Sequence, residues 1–120
     1  MTPLLRYWAC IVCSCHREAA RPLQPLVMTL AGEDDNRLVR VRAAEFLSLI
    51  DAADPRPVIY DALRSTNSPI EAGLILNTVV MLRDGEAQVE FDIDKTMFQN
   101  LKLTKRDDAV QRRLEYLNGE

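Results

Sequence analysis

The sequence predicts an all-α fold, a stack of helical hairpins closed by an irregular C-terminal cap, on three observations. A nine-residue unit, Leu5 to Cys13, recurs 34 positions on as Val39 to Leu47 and, more weakly, 31 positions further as Ile70 to Thr78. Apolar residues within the units follow the i, i+4, i+7, i+8 spacing of one helix face rather than the alternation of a strand. Prolines and polar turns punctuate the chain between them. Self-similarity at this period marks units that bury their faces only against their neighbours.

The elements follow in order. Thr2-Pro3 reads as an N-cap followed by proline at the first helical position, where no N–H is needed. The first helix then runs to about Cys15, with Leu5, Ala9, Val12, Cys13 and His16 as its core stripe. Pro22 and Pro25 open a second helix that carries Leu23, Leu26, Val27 and Leu30 inward and ends at Gly32. Glu33 to Asn36 turn the chain into a third helix, about Arg37 to Ile50, whose stripe Val39, Ala43, Phe46, Leu47 and Ile50 repeats the first. That stripe is expected to pack between the second and fourth helices, with Leu74 and Met81 in the same layer.

Asp54-Pro55 starts the fourth helix, with Val58, Ile59, Ala62 and Leu63 inward. Ser68 and Glu71 form a capping box for a fifth helix, about Pro69 to Leu82, closed by Asp84-Gly85. This helix is apolar nearly all round, which predicts burial on more than one side. Val89 to Asp94 alternates with period two, as an extended segment with one buried face does. Met97, Phe98 and Leu101 predict a short helix, and Val110, Leu114 and Leu117 a final one. The expected organisation is residues 1–85 as about two and a half helical hairpins and 86–120 as a cap of the same domain.

Composition narrows the function. With 48% hydrophobic and 28% charged residues, 120 residues are those of one ordinary globular domain. A net charge of −3 gives no electrostatic footprint for nucleic acid. No uncharged run is longer than the eleven residues of Ala72 to Leu82, too short to span a bilayer. The first residues lack a basic signal-peptide region, so the chain as given is expected to be cytoplasmic. Three cysteines crowded between Cys10 and Cys15 are not a disulfide framework.

Paired helices of about this length, with V-R-x-x-A-A-x-x-L on the first helix of the pair, resemble HEAT repeats. Leu38 to Leu47 is the best match, and the resemblance covers about residues 2–82. Leu5 to Ala9, Leu38 to Ile50 and above all Glu71 to Gly85 are similar to the extreme C-terminal extension of some bacterial sulfatases, arylsulfatase-like members of the alkaline phosphatase superfamily. The resemblance implies a HEAT-like accessory part following an α/β catalytic domain, and export if that enzyme is secreted. The family's chemistry needs a cysteine in C-x-P-S-x-R or C-x-A-S-x-R, matured to formylglycine, and carboxylate, amide and imidazole ligands for calcium. Cys13-Ser14-Cys15-His16-Arg17 lacks the Pro or Ala, the Ser and the spacing to Arg, so no catalytic role is carried over.

The residues themselves predict no catalytic, cofactor-binding or metal-binding site. Cys10, Cys13, Cys15 and His16 have ligand chemistry, but on one helix Cys15 points roughly 160° from Cys13, whereas zinc needs four converging ligands. Small buried hydrophobes are the expected role of Cys10 and Cys13. A redox-active pair is the alternative, with Cys15 the most reactive thiol. His16, at a helix C-terminus, is favourably placed for protonation. Arg6, Arg40 and Glu71 occupy equivalent positions, as an inter-repeat ladder or as a recognition stripe. Asp34-Asp35 and Asp92 with Asp94 lack the spacing of a calcium loop and serve turns and caps.

One asymmetry points to a partner. Arg42 and Glu45, expected as a solvated pair on the outer side of the third helix, have Trp8 and Ile11 as counterparts in the first. Leu4 and Tyr7 extend the same region. A terminal repeat needs a polar outer face, and an apolar one marks a partner. The expectation is a non-catalytic interaction module that docks through Leu4, Tyr7, Trp8 and Ile11 on an upstream catalytic domain or on a second copy as a homodimer. A free-standing adaptor binding a peptide or protein in its concave groove is the alternative.

Overall fold

The computed structural model describes residues 1–101 and 108–119. Those residues form an all-α chain: α1 (Pro3–His16), a 3-10 turn (Arg17–Leu23), α2 (Gln24–Glu33), α3 (Arg37–Leu49), α4 (Arg56–Ser65), α5 (Pro69–Asp84), a second 3-10 turn (Lys95–Phe98) and α6 (Asp108–Leu117). No strand occurs among the described residues. Residues 102–107 and 120 of the expected cap lie outside them. Contacts divide the chain into two compact units, Met1–Ile59 and Tyr60–Glu120, with the boundary inside α4.

In the first unit the helix ends follow local chemistry. The Leu5 N–H donates to Thr2 Oγ1 at 3.2 Å, and Pro3 occupies the first turn of α1. The helix stops at Arg17, which turns to φ 49° and returns its N–H to the Cys13 carbonyl. Pro22 sits inside the 3-10 turn, and Pro25 lies in the first turn of α2. Asn36 caps α3, its Oδ1 accepting from the Leu38 and Val39 N–H groups. At the other end of α3, the Ala52 N–H reaches the Leu47 carbonyl and the Asp51 N–H reaches that of Ser48. With Asp51 at φ 56°, this is a Schellman closure made without glycine.

α3 packs against both α1 and α2. The core joins Cys10 and Cys13 of α1, Val27 and Ala31 of α2, and Ala43, Phe46, Leu47 and Ile50 at the end of the unit's central helix. All five residues of the expected α3 stripe are buried.

The stripe predicted for α1 is corrected. Of its five members only Cys13 is buried, while Leu5, Ala9, Val12 and His16 are exposed. The inward face carries Cys10 and Cys13, flanked by half-buried Arg6, Tyr7 and Ser14. The helix is turned by roughly 100°, one residue's rotation, from the face the repeat implied. Two polar ties explain the turn: Arg6 reaches Asp34, and Tyr7 meets Arg42. The small thiols of Cys10 and Cys13 also let α1 approach closely. A similar change affects the predicted second helix: Leu23 is exposed in the 3-10 turn that precedes α2, Leu26 is exposed on α2, and Ala31 takes an inward position beside Val27.

In the second unit Ser68 Oγ accepts from the Glu71 N–H at 3.2 Å and starts α5. Ala72, Ile75, Leu76, Val79 and Leu82 are buried as one wide stripe. Met81 is exposed and Leu74 only half-buried, so neither belongs to the buried stripe of α5. Val89 to Asp94 has no regular secondary structure, and its burial alternates, with Ile93 buried, Val89 and Phe91 half-buried, and Glu90, Asp92 and Asp94 exposed. The Asp92 N–H donates to the Tyr60 hydroxyl at 2.8 Å, and the Tyr60 and Phe91 rings meet edge to face. α6 lies on α5 through buried Val110 and Leu114. Its position is fixed by Arg113 Nε donating to Asn77 Oδ1 and the Tyr116 hydroxyl donating to Asp84.

Candidate partner-binding surface

The outer side of α1 exposes four large apolar side chains. Leu4 is 64% exposed, Leu5 58%, Trp8 54% and Val12 53%. Their spacing, i, i+1, i+4 and i+8, places them on one side of the helix. No charged side chain interrupts them: Arg6 is turned inward to Asp34, and Ala9 and Cys15 complete the face.

Of the four residues expected at the contact, Leu4 and Trp8 lie on this face, and Tyr7 and Ile11 are half-buried at its edge. The Tyr7 hydroxyl accepts from Arg42 Nη2 at 3.1 Å, and that guanidinium lies over the Tyr7 ring, 5.3 Å from its centre. Tyr7 in turn meets Trp8 edge to face, with ring centres 6.1 Å apart. This chain of contacts holds the indole in place. Leu5 and Val12 belong to this face and not to the core stripe that periodicity predicts. The pair Cys10 and Cys13, three apart on the opposite side, was the signal that could have shown the true orientation.

Beside Val12 the surface dips into an apolar cavity of about 270 Å³, lined by Val12, Cys13, His16, Ala19, Ala20 and Leu23. It lies where α1 passes into the 3-10 turn, because Arg17 reverses the chain and carries Ala19 to Leu23 back alongside the last turn of the helix. Ala19 and Ala20 are too small to fill the space this leaves.

The sulfur cluster is split by its burial. Burial, with the nearby charges of Asp34 and Glu45 and the neighbouring Cys13, pushes the Cys10 thiol up to about 12. Burial also raises Cys13. Both are therefore neutral thiols near pH 7, poor as nucleophiles and as ligands. Cys15 is exposed. Among the described residues no three His, Cys, Asp or Glu side chains converge as a metal site.

Two ion pairs fix the frame behind the face. Asp34 Oδ2 accepts from Arg6 Nε at 2.6 Å, and Asp34 Oδ1 accepts from the Asn36 N–H at 2.9 Å. Arg40 Nη1 donates to the Asp34 carbonyl at 2.6 Å. Burial alone would raise the Asp34 carboxyl, but the Arg6 and Asn36 hydrogen bonds and the Arg40 charge outweigh it, so it lies below its ordinary value. The second pair is a correction: Arg42 and Glu45 are not a solvated couple, since Glu45 is only 1% exposed. Arg42 Nη1 stands 3.2 Å from Glu45 Oε2. Burial pushes the Glu45 carboxyl above its ordinary value, and Arg42 offsets only part of that. Helix register sets which residues of α3 share a side, and packing against α1 and α2 sets which side is buried. Comparison of the chain with family models, with curated proteins and with solved structures found no match.

Proposed function

We propose that this chain is a non-catalytic, HEAT-like helical module that binds a protein through the outer face of α1, and that it serves as an accessory part of a sulfatase-type hydrolase. The observation that carries the interaction role is the uncharged face of Leu4, Leu5, Trp8 and Val12, four large side chains each more than half exposed. Burying such a side chain fully is worth about 1.5–3 kcal/mol, a free energy that a partner could recover. Packing of α3 against both α1 and α2 is in keeping with stacked hairpins. The hydrolase context rests on the likeness of Glu71 to Gly85 to the sulfatase extension. The non-catalytic role rests on neutral, buried Cys10 and Cys13 and on the lack of the formylglycine motif.

The test is a photo-crosslinking residue placed at Val12 in the intact protein in its host. The expected product joins this chain to a sulfatase-type catalytic chain or domain, and Trp8→Arg abolishes it. A product formed equally well by the Trp8→Arg variant would refute α1 as the binding face. A crosslink to chains unrelated to hydrolases would remove the accessory role.

A further inference from the structure

We infer that the outer face of α1 is also a pairing surface for a second copy of this chain, with Trp8 of each copy seated in the cavity between α1 and the 3-10 turn of the other. This deepens the interaction role proposed above and rests on it.

The argument is one of reciprocity. A closed two-fold pair uses one patch twice, so the patch must carry both a protrusion and the hollow that receives it. On α1 the protrusion is Trp8, and the hollow is bounded by Val12, Cys13, His16, Ala19 and Leu23. Trp8 lies on α1 and the hollow lies where the end of α1 meets the 3-10 turn, on either side of the level of Cys10. An axis through that level, perpendicular to an antiparallel pair of α1 helices, sets residue n opposite residue 20 − n. It places Trp8 over Val12 of the other copy, Leu5 over Cys15 and Leu4 over His16. Helical rotation agrees with this register, because Trp8 and Val12 flank the middle of the exposed arc at roughly 100° per residue.

Size and charge fit as well. A cavity of about 150 Å³ already holds benzene, and the one beside Val12, about 270 Å³, has room for an indole. The face brings no like charges together, since Leu4, Leu5, Trp8, Ala9, Val12 and Cys15 are uncharged side chains and the register sets His16 over Leu4 rather than over a second histidine. It is one helix wide and therefore small beside a standard interface of roughly 800 Å² per partner. The pair is accordingly weak and concentration-dependent.

The experiment combines three measurements on the full chain. Sedimentation from about 10 µM upward, a range suited to a weak complex, is expected to show a monomer passing to a dimer. Trp8 is the single tryptophan, so its emission should shift to the blue over the same range, and Trp8→Arg should remain a monomer with unchanged helicity. In the antiparallel register the two Cys15 residues lie roughly 15 Å apart along the axis, beyond the 7 Å that a disulfide can bridge. Mild oxidation should therefore leave the unmodified chain uncrosslinked but link Leu5→Cys to Cys15 of the second copy. A chain that stays monomeric throughout, a dimer with unshifted Trp8 emission, or a ready Cys15–Cys15 link would each overturn the inference. If the monomeric chain still shifts its Trp8 emission when mixed with the hydrolase captured at Val12, the proposed function survives and only the second copy is excluded.

Discussion

Arg6 and Asp34, 28 residues apart, meet in a two-pronged ion pair, with Nε 2.6 Å from Oδ2 and Nη2 3.3 Å from Oδ1. The pair ties α1 to the turn between α2 and α3. It also sets which side of α1 faces out, since Arg6 lies across the helix from Trp8. Asp34→Ala should therefore cost about 2 kcal/mol, the scale of lost hydrogen bonds between charged groups, as measured by urea unfolding.

The same carboxylate gives a pH dependence. Its folded value lies below the unfolded one, near 3.9, so the unfolded chain binds more protons in the interval between them. Stability from Asp34 is present above about pH 4 and is lost as pH falls through the folded value. Acid unfolding of Asp34→Ala should lack this step.

Glu45 acts in the opposite sense. Its folded value is raised, so the folded chain holds the extra proton, and stability falls as pH rises from the unfolded value, near 4.3, through the folded one. Arg42→Met should cost about 3 kcal/mol at pH 7 by leaving a buried carboxylate without its cation, and the cost should shrink in acid. The double variant Arg42→Met with Glu45→Leu should regain most of the loss. Thermal melts at pH 4 and pH 7 check both statements.

Phe46 is fully buried in the cluster that joins α1, α2 and α3. Phe46→Ala should destabilise by about 3–5 kcal/mol through the cavity it leaves. A loss under 1 kcal/mol in denaturant melts would mean that this cluster is not the core of the first unit.

Asp51 closes α3 at φ 56°, where a side chain meets the steric cost of the left-handed region. Asp51→Gly should raise stability by about 1 kcal/mol, visible as a higher denaturant midpoint at unchanged m-value.

Thiol accessibility separates the three cysteines. A disulfide reagent at pH 8 should modify Cys15 rapidly and reach Cys10 and Cys13 only on unfolding, because both are buried and their thiolates are disfavoured. Rapid native reaction of Cys10 would contradict its place in the core.

Local sequence determined most of the secondary structure. Thr2-Pro3, Asn36 and Ser68 act on backbone groups within three residues, so the starts of α1, α3 and α5 were legible without knowledge of the rest of the chain. The α3 stripe was legible too, because Val39, Ala43, Phe46, Leu47 and Ile50 all pack inward and no alternative face is as apolar. The glycine-free closure at Asp51 left no such mark. The orientation of α1 was decided by tertiary structure alone. Leu5 and Val12 are as apolar as Cys10 and Cys13, so periodicity gives the helix two candidate inner faces. The choice between them falls to contacts made 28 and 35 residues away, Arg6 with Asp34 and Tyr7 with Arg42. Those contacts bury the small thiols and leave Trp8 outside. The burial of Glu45 has the same origin: a helix register states which residues share a side, but only the packed neighbours state which side is wet.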